Sequence, residues 1–560
     1  MIKRKSLLLL LVPFLLLCVN VNTAAQNYIS RGVDIDRSNI PKNILVASFP
    51  GGGSHVKPML DIATILVERG YNVILVAPIE NKTLVEYPAI KHISSGPKMS
   101  GNNGIEVNNE ALTFKKMIKL FEPGVKSYKR VYEMYKNVAE EYNIDLFFCD
   151  LVPIQNDACI DIAHTLKKPV VGLISGLLAI DPKPYKSDPT IGCDVSLEDA
   201  SILERFRCNF IQPLLMIYSF NSIVNQINDL RKQMNIEPGN IAFGGSVKSS
   251  LIFINTFFGF EHPQNLPPYV QEIGPILSEE YPPLSPELSD FINGHERVLY
   301  VTFGTRFITT TDNNSKLLQS FIEAINKKIV DGVVWALVKT PKDNFHPTLK
   351  LSDGTQVQTS PILNNKHPHI HITEFAPQFS VLNHTNTKLF FSHGGVGGSH
   401  ETLYTGTPVL VLPLAGDQMG NAQKLIAAGV ASSLSLNNLD IDDILNKMDS
   451  LLKDENVKKN LERLKVLAKI NSKRKVRAAD LIEYMLHSST FIEDVNDDFL
   501  KEWFPADTRM GIIRAYNLDI LTILLGITLS IIWFIIVKLI KLFRFLLMNP
   551  TSDNRKPKIE

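Results

Sequence analysis

Twice along this chain an apolar run breaks into glycines and re-emerges as a helical pattern, and that punctuation narrows the fold more than any other feature. "NILVASFP" (43–50) runs into "GGGSHVKP", continues as "HVKPMLDIATILVERG" and returns as "YNVILVAP" (71–78). Short runs that are apolar at nearly every position fit strands buried on both faces, and strand, glycine turn, helix, strand is a parallel unit. The order recurs at "DLFFCD" (145–150), a helix around 155–166 and "KPVVGLIS" (168–175), with "LIFINT" (251–256) closing the first half. Residues 257–295 hold seven prolines and read as a linker. A second half follows with "RVLYVTFG" (297–304), "GVVWALVK" (332–339), "HIHITEF" (369–375), "KLFFS" (388–392) and "PVLVLPL" (408–414). Two open α/β sheets are expected, over 41–260 and 297–487, joined by 261–296, with ligands at the carboxyl ends of their strands. The segment 180–245 turns polar and then helical, an insertion expected to cover one wall of the cleft.

The ends place the chain at a membrane. "MIKRKSLLLLLVPFLLLCVNVNTAAQ" has three basic residues, an apolar core of about 13 residues and small residues at Thr23 and Ala25, the pattern of a signal peptide over 1–25. "ILTILLGITLSIIWFIIV" (520–537) has 18 residues without a charge, enough to cover about 27 Å as a helix. The tail 538–560 holds six Lys/Arg and two acids, so it is expected to stay cytosolic. The body is then lumenal, as in a single-pass type I protein. The last residues, "KPKIE", resemble the retrieval signal of endoplasmic-reticulum membrane proteins.

Of 58 Lys+Arg and 57 Asp+Glu, three bases sit in the leader, and six bases and two acids in the tail, which leaves the body at −6. That balance excludes a nucleic-acid partner. Cys193 and Cys208, in a polar connection, are candidates for a disulfide in an oxidising lumen, whereas Cys149 and Cys159, in apolar patterns, read as buried thiols. Asn81, Asn313 and Asn383 are glycosylation sequons.

Chemistry concentrates in "LFFSHGGVGGSHETLYTG" (389–406), where a strand ends at Ser392 and His393, four glycines follow, and a helix is expected to begin near Ser399. A helix start offers free amides, and glycines let a phosphate approach the backbone. His393 adds a donor, and Glu401 suits a ribose diol. The surrounding stretch, "FAPQFSVLNHTNTKLFFSHGGVGGSHETLYTGTPVLVLPLAGDQ" (375–418), resembles the signature of UDP-glycosyltransferases. Phe375, Pro377, Gln378, Leu382, His384, His393, Gly395, Glu401, Gly406, Pro408, Pro413, Asp417 and Gln418 all stand at the family's spacing. The resemblance extends over about residues 40–545 and implies the GT-B glycosyltransferase fold, two facing Rossmann-like domains, with a C-terminal transmembrane helix.

The resemblance implies roles as well. Phe375 stands where a tryptophan usually stacks on uracil. Gln378 is expected at the uridine, His393 with Gly395 and Ser399 at the phosphates, Glu401 at the ribose, and Asp417 and Gln418 at the sugar hydroxyls. Thr305 in "TFGTRF" takes the place of a hydroxyl that binds the diphosphate, and Gly397 replaces the family's usual asparagine. His55 stands at the position of the acceptor-deprotonating base, and Asp150 at that of the aspartate orienting it. The chemistry asks for such a pair: a hydroxyl must lose its proton as it attacks the anomeric carbon, and a carboxylate fixes the imidazole tautomer.

Other motifs read as structure. "HPHIHI" (367–372) is a solvated strand face and "LDIDD" (439–443) a helix cap, so no metal and no cofactor is expected. Arg306 follows Thr305 within reach of either the diphosphate or a sugar carboxylate, but a loop arginine is more often at the surface or directed at phosphate, so it does not decide the sugar. The expected activity is inverting transfer of a hexosyl group, glucose or glucuronic acid, from a UDP-sugar to a small lipophilic acceptor. The alternatives are a non-catalytic binder of sugar-nucleotide or lipid on the same fold, which has no use for His55, and a dedicated sterol or sphingolipid glucosyltransferase. Self-association in the membrane is expected by analogy with the family.

Overall fold

The structure is a computed structural model that describes residues 36–49, 51–78, 86–96, 105–107, 118, 121–152, 156–176, 184–238, 250–491 and 499–548. The expected leader, Asn81 and the last twelve residues of the tail lie outside these segments.

Seventeen strands follow one another along the described chain: β1 (Asn43–Ala47), β2 (Asn72–Ala77), β3 (Lys91–Ser94), β4 (Ile105–Val107), β5 (Leu146–Asp150), β6 (Val170–Ile174), β7 (Ser250–Ile254), β8 (Val270–Glu272), β9 (Val298–Thr302), β10 (Phe307–Thr309), β11 (Gly332–Ala336), β12 (Thr348–Lys350), β13 (Gln356–Gln358), β14 (Ile370–Thr373), β15 (Thr387–Ser392), β16 (Val409–Val411) and β17 (Ala431–Ser433). Thirteen of them make two parallel sheets, in the orders β3-β2-β1-β5-β6-β7-β8 and β14-β11-β9-β15-β16-β17, while β4 pairs with β10 and β12 with β13. The apolar runs supply the central strands: every residue of β5, β9 and β11 is buried, as sheets covered on both faces require.

"LIFINT" does not close the first sheet. β8, inside the proline-rich stretch, pairs with β7 and forms its edge. β3, also at an edge, is polar and lacks the pattern that marked the other strands.

Strand order reverses at β1/β5 in the first sheet, since β1 pairs with both β2 and β5, and at β9/β15 in the second. Such switch points leave a crevice at the carboxyl ends of the strands. His55 lies in the first turn of the helix that follows β1, Asp150 is the last residue of β5, and Thr305 and His393 lie in the loops that follow β9 and β15.

Five helices bear on the argument: α1 (Gly53–Glu68), α2 (Asp157–Thr165), α3 (Val396–Thr405), α4 (Gln418–Ala427) and α5 (Lys475–Ser488). α5 follows the second sheet in the chain but docks on the first. Arg69 bonds Glu483 at 2.5 Å and Asp480 at 2.8 Å, and Tyr71 donates to Glu483 at 3.0 Å. A second tie is the short parallel ladder of β4 with β10, in which Ile105 N–H donates to the Arg306 carbonyl at 2.8 Å.

Cys193 and Cys208 form the expected disulfide. Cys149 and Cys159 form a second one, which corrects their reading as thiols: the end of β5 and the start of α2 bring their Cα atoms to 6.0 Å, within bridging range. Of the sequons, Asn313 is buried, its amide donating to Thr309 at 3.0 Å, while Asn383 is exposed.

The C-terminal helix α6 (Leu518–Met548) runs 31 residues with no part of its apolar window buried. It extends beyond the expected 520–537 and takes in Lys538, Lys541 and Arg544 of the expected tail, because nothing in their helical pattern stops it. At about 46 Å it is longer than a bilayer core and fits a membrane anchor.

Candidate functional site

At the first switch point the chain leaves β1 through Ser48, turns on glycines and starts α1, which holds His55 in its first turn. Asp150 closes β5 and is 4% exposed. His55 Nδ1 lies 3.3 Å from Asp150 Oδ1, and Ser48 Oγ donates to Asp150 Oδ2 at 2.7 Å. Asn156 clamps the two strand ends, donating to the carbonyls of Ala47 at 2.9 Å and Asp150 at 3.1 Å. Tyr135 in turn donates to Asn156 at 2.8 Å. With Nδ1 on the carboxylate, Nε2 is the free nitrogen, on a side chain 26% exposed. Burial works against the imidazolium, but the charge and hydrogen bond of Asp150 outweigh it, and the His55 pKa is raised. That is the arrangement of a general base.

At the second switch point β15 delivers His393, whose ring lies between two glycines. A Cβ on Gly304 would meet it at 2.8 Å, and one on Gly395 at 2.7 Å. Burial holds its pKa down at about 4, so the ring is neutral, and its Nδ1 is buried without a partner among the described residues. α3 starts at Val396, three residues before the expected Ser399, with Gly395 as an N-cap that offers no side chain. The first-turn amides therefore carry no side-chain cap, beside a neutral imidazole.

The remaining expected residues divide. Phe375, in the turn after β14, is 69% exposed, an open aromatic platform, and Thr305 is exposed on the loop after β9. Gln378 and Glu401 are brought together, Gln378 Nε2 donating to Glu401 Oε2 at 2.5 Å. Burial pushes the Glu401 carboxyl up to about 7, against that bond and the charge of Lys57. Asp417 precedes α4 without a capping bond and accepts from Asn421 at 2.9 Å; its pKa is raised by burial, although Asn421 and His55 pull it down. Ser399 and Gln418 turn inward. Ser399 donates to the Gly395 carbonyl at 3.1 Å, and Gln418 Oε1 accepts from the amides of Leu414 and Ala415 at 2.8 and 3.0 Å. No neighbour lies within 4 Å of a Cβ at Gly397, so packing does not dictate a glycine there.

Groups of the second sheet act on His55: the charge of Asp417 favours its protonation and that of Arg306 opposes it. Both halves therefore contribute to one electrostatic site. Sequence reasoning missed Ser48, Asn156 and Asn421, which hold the functional groups rather than carry the chemistry. Their only local signal is position beside a strand end. The "HPHIHI" histidines are not a uniformly solvated face: His369 bonds His295 at 3.1 Å and His371 is buried against Phe291. Among the described residues no group of three His, Cys, Asp or Glu is placed to hold a metal. "LDIDD" is a cap as expected, Asp440 accepting from the Asp443 amide at 2.9 Å.

Residues 193–549 match the sequence model of the family described as UDP-glucoronosyl and UDP-glucosyl transferase. A UDP-glycosyltransferase of Talaromyces amestolkiae is 29% identical over 73% of this chain and 78% of its own. UDP-glycosyltransferase 1 of Phaeomoniella chlamydospora is 33% identical over 67% of this chain and 76% of its own. Among solved structures, the glycotransferase of kitacinnamycin superposes with a TM-score of 0.54 at 18% identity, covering 80% of this chain and 99% of that one. The likeness to it establishes the fold, GT-B, alone. The family match begins at residue 193, so His55 and Asp150 lie outside it.

Proposed function

Since the chain belongs to the UDP-glycosyltransferase family and transfers sugar from a UDP-sugar, we propose that it moves a hexosyl group onto a hydroxyl of a small lipophilic acceptor with inversion, His55 being the base. The observation that carries this reading is the His55–Asp150 contact at 3.3 Å, which leaves Nε2 to the acceptor, with the charges of Asp417 and Arg306 of the other half acting on the imidazole.

His55 Nε2 takes the acceptor proton while the acceptor oxygen attacks the anomeric carbon. The bond from that carbon to the diphosphate oxygen breaks on the opposite face, and UDP leaves with the electron pair. Asp150 stabilises the imidazolium until the proton passes to water. The negative charge on the departing UDP falls to the uncapped amides of α3 and to the neutral His393 N–H. Phe375 stacks on the uracil and Thr305 reaches the diphosphate. Glu401, with Gln378 beside it, meets the ribose, and Asp417 holds a sugar hydroxyl. Ser399 and Gln418 shape the groove through the backbone rather than by touching the donor. The reading calls for no metal, since amides and imidazole fill that role.

Two disulfides support a body in an oxidising compartment, in line with a lumenal orientation behind a C-terminal membrane anchor. The test is a donor screen. Detergent-solubilised full-length protein with a phenol or a sterol is given UDP-glucose, UDP-glucuronic acid or UDP-N-acetylglucosamine, with and without EDTA, and product mass and anomeric configuration are read. One donor giving an inverted glycoside at a rate EDTA leaves unchanged supports the proposal; a retained configuration removes it.

A further inference from the structure

The loop between β9 and β10 carries a charge that the chemistry above leaves unused. Arg306 follows Thr305 and precedes β10, and its carbonyl is fixed by the Ile105 amide. Its side chain is half-buried, and its Nε is buried with no hydrogen-bond partner. Among the described residues no carboxylate pairs with it. Burial alone lowers its pKa, with no neighbouring acid to compensate. The fully buried Arg231 differs: it is held by Asp161 at 2.8 Å and Asp157 at 3.2 Å.

A buried N–H without an acceptor is costly, and none of the described residues accepts from Arg306 Nε, so the acceptor we assign to it is a bound ligand. Its place is set from two sides, by the adjoining Gly304, against which His393 packs, and by its field on His55. Resting on the proposed reaction, we propose that Arg306 seats an anionic group of the sugar donor, either a diphosphate oxygen or the carboxylate of a uronic acid. The guanidinium fork matches both.

The test is calorimetric titration of UDP, UDP-glucose and UDP-glucuronic acid into the full-length protein, unsubstituted and as Arg306→Gln and Arg306→Lys. If the diphosphate is the partner, Arg306→Gln weakens all three about 10- to 100-fold, the range of a charge-assisted hydrogen bond. If the carboxylate is the partner, only UDP-glucuronic acid weakens. In both cases Arg306→Lys recovers part of the loss, and unliganded Arg306→Gln melts no lower than the unsubstituted protein, because no internal pair is broken. Equal binding of all three ligands by Arg306→Gln overturns the assignment and leaves the proposed reaction standing. Absence of binding to the unsubstituted protein would remove both.

Discussion

The two switch points are built in opposite ways. At the first, the polar groups satisfy one another: His55 faces Asp150, Asp150 accepts from Ser48, and Asn156 ties the strand ends together beside the Cys149–Cys159 bridge. At the second, buried polar atoms stand unmet, with His393 Nδ1 and Arg306 Nε lacking partners and Glu401 carrying a pKa near 7. The difference fits the proposed tasks. A base must hold one tautomer before any substrate arrives, while a nucleotide cradle keeps its hydrogen bonds for the nucleotide.

The comparison breaks most sharply at the first site. His55→Ala is expected to lower kcat by about 10²–10⁴, the usual share of a general base, with UDP affinity unchanged. Stopped-assay turnover and UDP titration together check it, and wild-type turnover would reject the base. Asp150→Asn, which leaves the imidazole in the wrong tautomer, is expected to cost about 10²-fold or more in kcat with little change in donor KM. A defect confined to KM would assign Asp150 to donor binding instead.

At the second site the expected signature is the reverse. Gly395→Ala places a Cβ 2.7 Å from the His393 ring, so about 1–3 kcal/mol of stability is lost and UDP binds about tenfold more weakly. Denaturant unfolding and titration read both, and an unchanged protein would mean that His393 has room to move.

The smallest effect is a pH trend. Glu401 has a folded pKa near 7, raised above 4.5, so the native state binds more protons than the unfolded state between those values. Its contribution therefore falls as pH rises from about 4.5 to 7. Glu401→Gln is expected to flatten that part of the stability profile, and an identical slope in the variant would show the carboxyl to be ionised throughout.

Legibility in the sequence was uneven for physical reasons. The central strands and glycine turns were readable because apolar runs and glycines report local burial and local geometry. β3 and β8 were not, since edge strands need no apolar run and their existence depends on a neighbour's free edge. His55, Asp150 and His393 were readable as strand-end residues. Ser399 and Gln418 were placed by family spacing, which fixes a position along the chain but not which way a hydroxyl or amide turns. Cys149 and Cys159 misled because a buried disulfide and two buried thiols share one apolar pattern.

What the sequence alone determined is the repertoire: two parallel α/β halves, an apolar C-terminal helix, and chemically competent residues at strand ends. Tertiary structure decided the partnerships. His55 meets Asp150 across 95 residues, and α5 returns across more than 400 to bond Arg69. Which strands neighbour each other, and so which ends converge, depends on the packing of whole layers. Side-chain periodicity carries no record of it.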